Sequence, residues 1–334
     1  MDKDTHPTPK GWHQTPPLPL TQAPYWHRPF SFGGALFYFI RSWRPVSERV
    51  IFLILATLIW LYATPEMARM QTLSFDWMAE IWLRNMMLII LIAGGLHLWL
   101  HRFKKQADDT LYETRPFLKN NGRFTFRNQV YDNMFWSLSS GVLVWTAYEV
   151  LMMWAYANGY ATMISLTDSP FVFALILLAI PFWAGAYFYA QHRLLHIGPL
   201  YRHIHSWHHK NIQTGPWSGL AMHPAEHVIL MSDCLIFLLI PSHPIHVIFN
   251  LLFHGLGAPT SHAGFDKLRL GPVPDLQLGD FFHQLHHKYF DCNYGTTDTP
   301  WDSWFHTFHD GTDEGTKQIS ERRKMLAQSQ KSGR

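Results

Sequence analysis

The stretch 191–209 reads QHRLLHIGPLYRHIHSWHH, and a chain that carries it has to fold around it. His192 and His196 stand four apart, and His205, His208 and His209 stand at i, i+3 and i+4, spacings that put side chains on one helical face. His283, His286 and His287, in HQLHH, repeat the second spacing further along. Neutral imidazole is the commonest nitrogen ligand for iron, zinc and copper, and an ordinary core has no use for eight of them at helical spacing. Tryptophan, leucine and proline are interleaved with these histidines, so this is not a solvated low-complexity tract. The pattern predicts a metal site. Isolated histidines such as His97, His101 and His246 are read as packing residues.

The composition places the site at a membrane. Of 334 residues, 48% are hydrophobic and only 15% charged, where a soluble protein carries about a quarter charged. Apolar stretches at 46–64, 81–100, 134–157 and 170–190 are each close to the roughly 20 residues that span a bilayer, so four spans are expected. The segment 102–127 holds seven Lys/Arg and the chain before Val50 holds six, whereas 65–80 has Arg69 alone and 158–169 none. By the positive-inside rule both termini face the cytoplasm, and His192 emerges there from the fourth span. Two cysteines, Cys234 and Cys292, supply neither a disulfide framework nor a cysteine zinc site, so the ligands are imidazoles.

The expected fold is all-α: about four transmembrane helices with a cytoplasmic helical cap that holds a dimetal site. Residues 1–45, rich in proline and lacking the apolar core of a signal peptide, read as an irregular cytoplasmic arm. Residues 46–165 hold the first membrane helices and the basic loop, 166–310 the catalytic domain, and 311–334 a polar tail. A further apolar stretch, 228–253, is broken by PSHP at 241–244. A full crossing there would separate HQLHH from HSWHH, so a re-entrant helical hairpin is expected. Before it, HPAEH carries His223, His227 and Glu226. Pro224 suits a first helical turn, and Glu226 suits either orienting a ligand imidazole or capping. His262, in SHAGF, follows the hairpin where the chain returns to the site. Trp183, Tyr187 and Tyr189 are candidate walls of a substrate channel. Asn293 and Gly295 supply left-handed turn conformations in a lid rich in aromatics.

The order HRLLH, HSWHH, HPAEH, SHAGF, HQLHH, NYGTTDTPWDSWF resembles the fatty acid hydroxylase superfamily in its sterol desaturase branch, over about 171–308. The resemblance implies a membrane-bound non-haem diiron oxidoreductase that hydroxylates or desaturates a sterol-like or fatty-acyl lipid with O2. By motif it implies metal ligation by His192, His196, His205, His208, His209, His283, His286 and His287, with His262 and His223 added, and His227 or Glu226 as further ligands or supports. Two irons are the implied cofactors, and zinc can replace them in isolated protein. Where the family commonly closes its last motif with Phe-Gly-Thr, this chain has Phe305, His306 and Thr307, which places the local turn in question.

No C-x-x-C-H or strand-to-helix G-x-G-x-x-G occurs, so a separate electron-donor protein is the implied partner, together with the lipid and the bilayer, and no nucleic acid is expected. The basic loop 102–127 is one place where an acidic donor would dock, although the positive-inside rule already accounts for its charge. The other readings are a zinc-binding membrane scaffold, which needs only four ligands, and a metal transporter or sensor, which needs ionisable residues along the spans. With no retention signal in KSGR, a bacterial inner membrane is expected ahead of the endoplasmic reticulum.

Overall fold

The computed structural model describes residues 9–271 and 275–332, and the described residues are almost wholly helical. The first eight residues of the arm and the last two of the tail lie outside it. In chain order we label α1 Phe32–Ser42, α2 Glu48–Tyr62, α3 Phe75–Arg102, α4 Gln129–Ala157, α5 Pro170–Leu195, α6 Pro224–Met231, α7 Pro244–Gly255 and α8 Phe281–Tyr289. The only described sheet is a two-residue antiparallel pair, Lys267–Leu268 with Leu276–Gln277.

Local chemistry sets the helix starts. The Ser47 hydroxyl accepts from the Val50 amide and the Asn128 side chain from those of Val130 and Tyr131, each meeting donors a helix leaves free. Pro170, Pro224 and Pro244 open α5, α6 and α7, where a missing N–H costs little. Asp280 caps α8 by accepting from the Phe282 amide, which fixes where HQLHH begins its turn.

Three described helices, α3, α4 and α5, are long and apolar enough to cross a membrane, not the expected four. The stretch expected first yields the 15-residue α2, about 22 Å at 1.5 Å per residue against the roughly 30 Å of a hydrocarbon core. Its first turn is committed elsewhere. Glu48 accepts from the Thr260 hydroxyl at 2.6 Å and Arg49 pairs with Asp298 at 2.6 Å, so α2 starts inside the histidine-bearing cap. At its other end the Ala63 carbonyl accepts from the buried Arg84 of α3, which also pairs with Glu149 of α4.

The stretch 228–253 is a hairpin, as its central prolines suggest. α6 continues as a 3₁₀ segment, Ser232–Leu238, the chain turns, and α7 returns. The turn is pinned to the loop between α4 and α5: the Ser242 amide donates to the Thr162 carbonyl at 3.0 Å, the Ile164 amide to the Ser242 carbonyl at 2.9 Å, and the Tyr156 and Ser242 hydroxyls lie 2.6 Å apart. Residues 223 and 262 therefore sit at the same end of the bundle.

The arm, expected to be irregular, is ordered over its described part and contains α1, whose start is capped by Ser31. It runs across the cap through His13 to Tyr112, Leu20 to Asp310 and Ala23 to Thr297, backbone bonds of 2.8 Å each. Phe32, Phe37 and Ile40 of α1 are exposed.

The closing turn is kept where the glycine is replaced. His306 takes φ +58°, the left-handed region a glycine occupies freely. Thr307 secures it, its hydroxyl donating to Asp302 at 2.6 Å while Asp302 also accepts from the amides of Tyr294 and Gly295. Asn293 takes φ +54° as expected, but Gly295 does not use its freedom; a Cβ there would meet Tyr189 and Asp302 at 3.1–3.2 Å. Relief of the left-handed strain predicts that His306→Gly raises stability by about 1 kcal/mol, read as a rise in unfolding temperature of the detergent-solubilised protein; an unchanged or lower value counts against the strain.

Candidate metal centre

The histidines meet in two groups. One holds His192, His196, His205, His209 and His286, the other His208, His262, His283 and His287, and within each group the candidate ligand atoms lie within 4.8 Å of one another. The two HxxHH segments contribute reciprocally. The i, i+4 pair His205 and His209 belongs to the first group and His208 between them to the second, whereas His283 and His287 belong to the second and His286 to the first. The groups are neighbours, with the His209 and His287 rings 4.9 Å apart.

In the first group Nε2 atoms face one another: His192 and His205 at 3.0 Å, His205 and His209 at 3.1 Å, His209 and His286 at 3.0 Å, His196 and His286 at 3.2 Å. In the second, His262 Nε2 lies 3.1 Å from both His283 and His287 and 3.3 Å from His208. The opposite ring edges show which nitrogens carry protons. His192 Nδ1 reaches the Tyr294 carbonyl at 2.7 Å, His286 Nδ1 the Cys292 carbonyl at 2.6 Å, His262 Nδ1 the Ala258 carbonyl at 2.8 Å and His205 Nδ1 a Glu226 carboxylate oxygen at 2.6 Å. Those oxygens only accept, so each Nδ1–H donates and each Nε2 presents a lone pair.

Convergent lone pairs repel unless a cation lies among them. Protonation is a poor remedy, because burial holds the imidazoles neutral: it pushes His205 and His208 down to about 3, and His262 to about 4. For His208 the neighbouring His262 adds to the effect. Buried, neutral and aimed at shared points, these nitrogens fit divalent first-row metals, and the all-imidazole donor set leaves the metal charge uncompensated. The residues fit two ions.

Glu226 orients His205, one of the two roles its position suggested. His223 and His227 do not join either group. His223 Nδ1 accepts from the Ala225 amide at 3.1 Å as the cap of α6, with its ring against Trp207, and His227 Nε2 donates to the Leu220 carbonyl at 3.0 Å. His223 is spent as the cap, and His227, the residue after Glu226, is carried about 100° round the helix from the carboxylate. His101 and His246 are packing residues, bonded to the carbonyls of Ala263 and Phe173 at 3.0 Å.

A cavity of about 710 Å³ adjoins both groups and is lined by His192, His205, His208, His262 and His283. Its α5 wall is Pro181, Ala184, Gly185 and Phe188, not the expected Trp183, Tyr187 and Tyr189. Those aromatics point elsewhere: Trp183 donates to the Asp233 carbonyl, Tyr187 bonds Ser232, and Tyr189 stacks on Phe305. The signal was present in the sequence, since 181, 184, 185 and 188 lie 11, 8, 7 and 4 residues before His192, on its own helical face. Tyr38 and Arg41 of α1 line the far part of the cavity, which no histidine spacing could have revealed.

Replacing Glu226 by Gln keeps an acceptor but removes the charge behind His205, and is expected to weaken metal binding at the five-histidine group about 10- to 100-fold. His223→Ala should cost about 1 kcal/mol of helix cap and leave the metal content unchanged. Metal analysis during chelator titration of the purified protein checks both; equal retention by Glu226→Gln and the unmodified chain would remove Glu226 from the site.

Residues 173–307 match the family model described as fatty acid hydroxylase. Among curated relatives, the Delta(7)-sterol-C5(6)-desaturase of Nicotiana tabacum is 31% identical over 39% of this chain and 48% of its own length. Methylsterol monooxygenase 1 of Gallus gallus is 32% identical over 36% and 42%, and the Delta(7)-sterol 5(6)-desaturase of Leptosphaeria maculans 32% over 38% and 35%. The matches thus span a third to a half of these relatives' length. No solved structure matches. These relatives come from a plant, a bird and a fungus, which gives no support to the bacterial inner membrane expected from the tail. The motif order and the family match agree on the same residues: the histidine-bearing part of this chain, 173–307, is a fatty acid hydroxylase domain, with its relatives in the sterol desaturase branch of that superfamily.

Proposed function

We propose that this protein is a membrane-bound oxidoreductase that hydroxylates or desaturates a lipid with O2, using two iron ions held by the nine grouped histidines and electrons from a separate protein. The observation that carries this reading is the pair of all-nitrogen groups opening onto one cavity beside the membrane helices. A structural zinc site is closed by four ligands and needs no adjoining cavity. Bound in these groups, the irons would supply reductive activation of O2 and removal of hydrogen from an unactivated C–H bond. The chain's own part is to hold neutral ligands in fixed orientation and to give the lipid a dry, apolar bed. Carbonyls of Tyr294, Cys292 and Ala258 and the carboxylate of Glu226 set the orientation. Pro181, Ala184 and Phe188 give the cavity an apolar side next to the histidines.

The loop between α3 and α4 packs into the cap, where the Tyr112 amide donates to the Gly264 carbonyl at 2.9 Å. Its lysines and arginines therefore lie on the cap side, and by the positive-inside rule this is the cytoplasmic face, where an acidic electron donor would dock.

Cells with and without the gene should differ in one lipid by the mass of one oxygen or of two hydrogens, and His208→Ala should abolish that difference while the protein still inserts in the membrane. Protein isolated from iron-replete cells should hold close to two metal ions per chain. A lipid profile unaffected by the gene, with one closed four-coordinate zinc in the protein, would instead favour the scaffold reading.

A further inference from the structure

Above the metal groups, the cavity wall is apolar where Met222, Leu230 and Phe253 meet, and His254 interrupts it. His254 ends α7 and is 6% exposed. Its Nε2 lies 2.7 Å from Asp233 Oδ2, and the same oxygen accepts from Asn250 Nδ2 at 2.8 Å. Asp233 is fully enclosed, so the carboxylate is held in place by these partners and in turn fixes the imidazole. A carboxylate only accepts, so Nε2 carries a proton toward Asp233, and Nδ1 is the ring nitrogen left for a ligand. Among the described residues nothing bonds Nδ1. Neither the metal groups nor their supporting carbonyls use this dyad.

We propose that His254, oriented by Asp233, is a positioning residue that forms a hydrogen bond with an alcohol hydroxyl of the lipid inside the cavity. This rests on the reading of the cavity as the lipid site. One oriented polar group in an apolar wall is how small-molecule pockets fix the pose of a mostly apolar ligand. A hydroxyl meets the requirement because it both donates and accepts and so pairs with Nδ1, whereas a bare hydrocarbon leaves Nδ1 unpaired. His254 ends α7, and a turn at Leu256 and the short helix Gly257–Ser261 lead from it to His262. Gripping the oxygen there selects which carbon lies over the metals, a choice the apolar walls alone cannot make.

The test uses the full chain, metal-loaded, in nanodiscs prepared from total membrane lipid of the producing cells. Lipids retained on the protein are identified by mass spectrometry after acetylation, which tags each free hydroxyl. An alcohol is expected to be enriched over the bulk lipid. His254→Leu should lower its retention roughly five- to tenfold, the loss of one buried hydrogen bond, with the metal content kept. His254→Gln, which can still donate to Asp233 and accept from the cavity, should recover part of it. The deoxy analogue of the retained alcohol, with hydrogen in place of the hydroxyl, should bind the unmodified protein as weakly as the alcohol binds His254→Leu; this comparison needs no variant and stands if the leucine protein fails to fold. Retention only of lipids without a hydroxyl, no enrichment at all, equal retention by a metal-loaded His254→Leu, or equal binding of alcohol and deoxy analogue would overturn the proposal. Oxidation of a lipid lacking any hydroxyl would sink this inference and leave the oxygenase reading standing, whereas an alcohol bound through His254 but never oxidised would do the reverse.

Discussion

Nine imidazoles pointing lone pairs at two shared places are a conformation that a chain does not adopt for its own sake. Each Nδ1–H that is tied to a carbonyl or carboxylate deprives its ring of the choice to turn its proton inward. Burial in turn resists charging the rings. A cation at each place would relieve this repulsion, which is the part the proposed metal ions would play. The rest of the cap can be understood as the supply of rigid acceptors behind those rings. Asp302 is an example: it touches no histidine, yet by accepting from the amides of Tyr294 and Gly295 it holds the segment whose carbonyl orients His192.

The hairpin of α6 and α7 solves a connected problem. His205 needs Glu226 behind it, and His208 needs His262 beside it, yet these two partners are separated by an apolar stretch long enough to carry the chain away from the cap. Turning that stretch back at Pro241–Pro244 and fastening the turn to Thr162 and Ile164 returns the chain to the same face. Close backbone approach completes the join. A Cβ on Gly219 would fall 2.2 Å from the Ala258 carbonyl oxygen, so only glycine lets the loop before α6 lie against the short helix leading to His262. The hairpin also carries Asp233 and His254, so the element that closes the metal centre builds one wall of the cavity as well.

That the histidines of HSWHH and HQLHH gather was legible in the sequence, because helical spacing alone places three of them together in each. How they divide into two groups was not. That depends on the relative rotation of the His205–Lys210 turn and α8, which brings His286 to His209 and His208 to His262, and no periodicity records the packing of one segment on another. His223 and His227 share the i, i+4 spacing of the grouped histidines, but His223 is committed to the Ala225 amide as a cap and His227 to the Leu220 carbonyl. The arm's prolines and the Gly33–Gly34 pair argue against helix by propensity, and in α1 capping by Ser31 and the bond from Tyr38 to Asp298 override that. Of the four stretches expected to span, three are helices long and apolar enough to do so; the first, α2, is apolar but 15 residues long, with its first turn held by Thr260 and Asp298 of the cap.

Those contacts also give the arm a part in the chemistry. Asp298 gathers the Tyr38 hydroxyl, the Arg49 guanidinium and, through its backbone carbonyl, the Trp26 indole. It stands in the TTDTPW segment a few residues before Asp302, so one short stretch of the catalytic domain anchors both the arm and the ligand-orienting loop. Tyr38 and Arg41 line the cavity, and α1 turns Phe32, Phe37 and Ile40 outward, a surface suited to the bilayer interface. A lipid entering beneath α1 would pass from membrane to cavity without crossing water. The N-terminal arm lies outside the matched domain, and the walls it supplies are the part of the cavity that the shared histidine motifs do not determine. Under the proposed function the motifs would fix where oxidation occurs, and the arm and the hairpin would supply the remaining walls around the lipid.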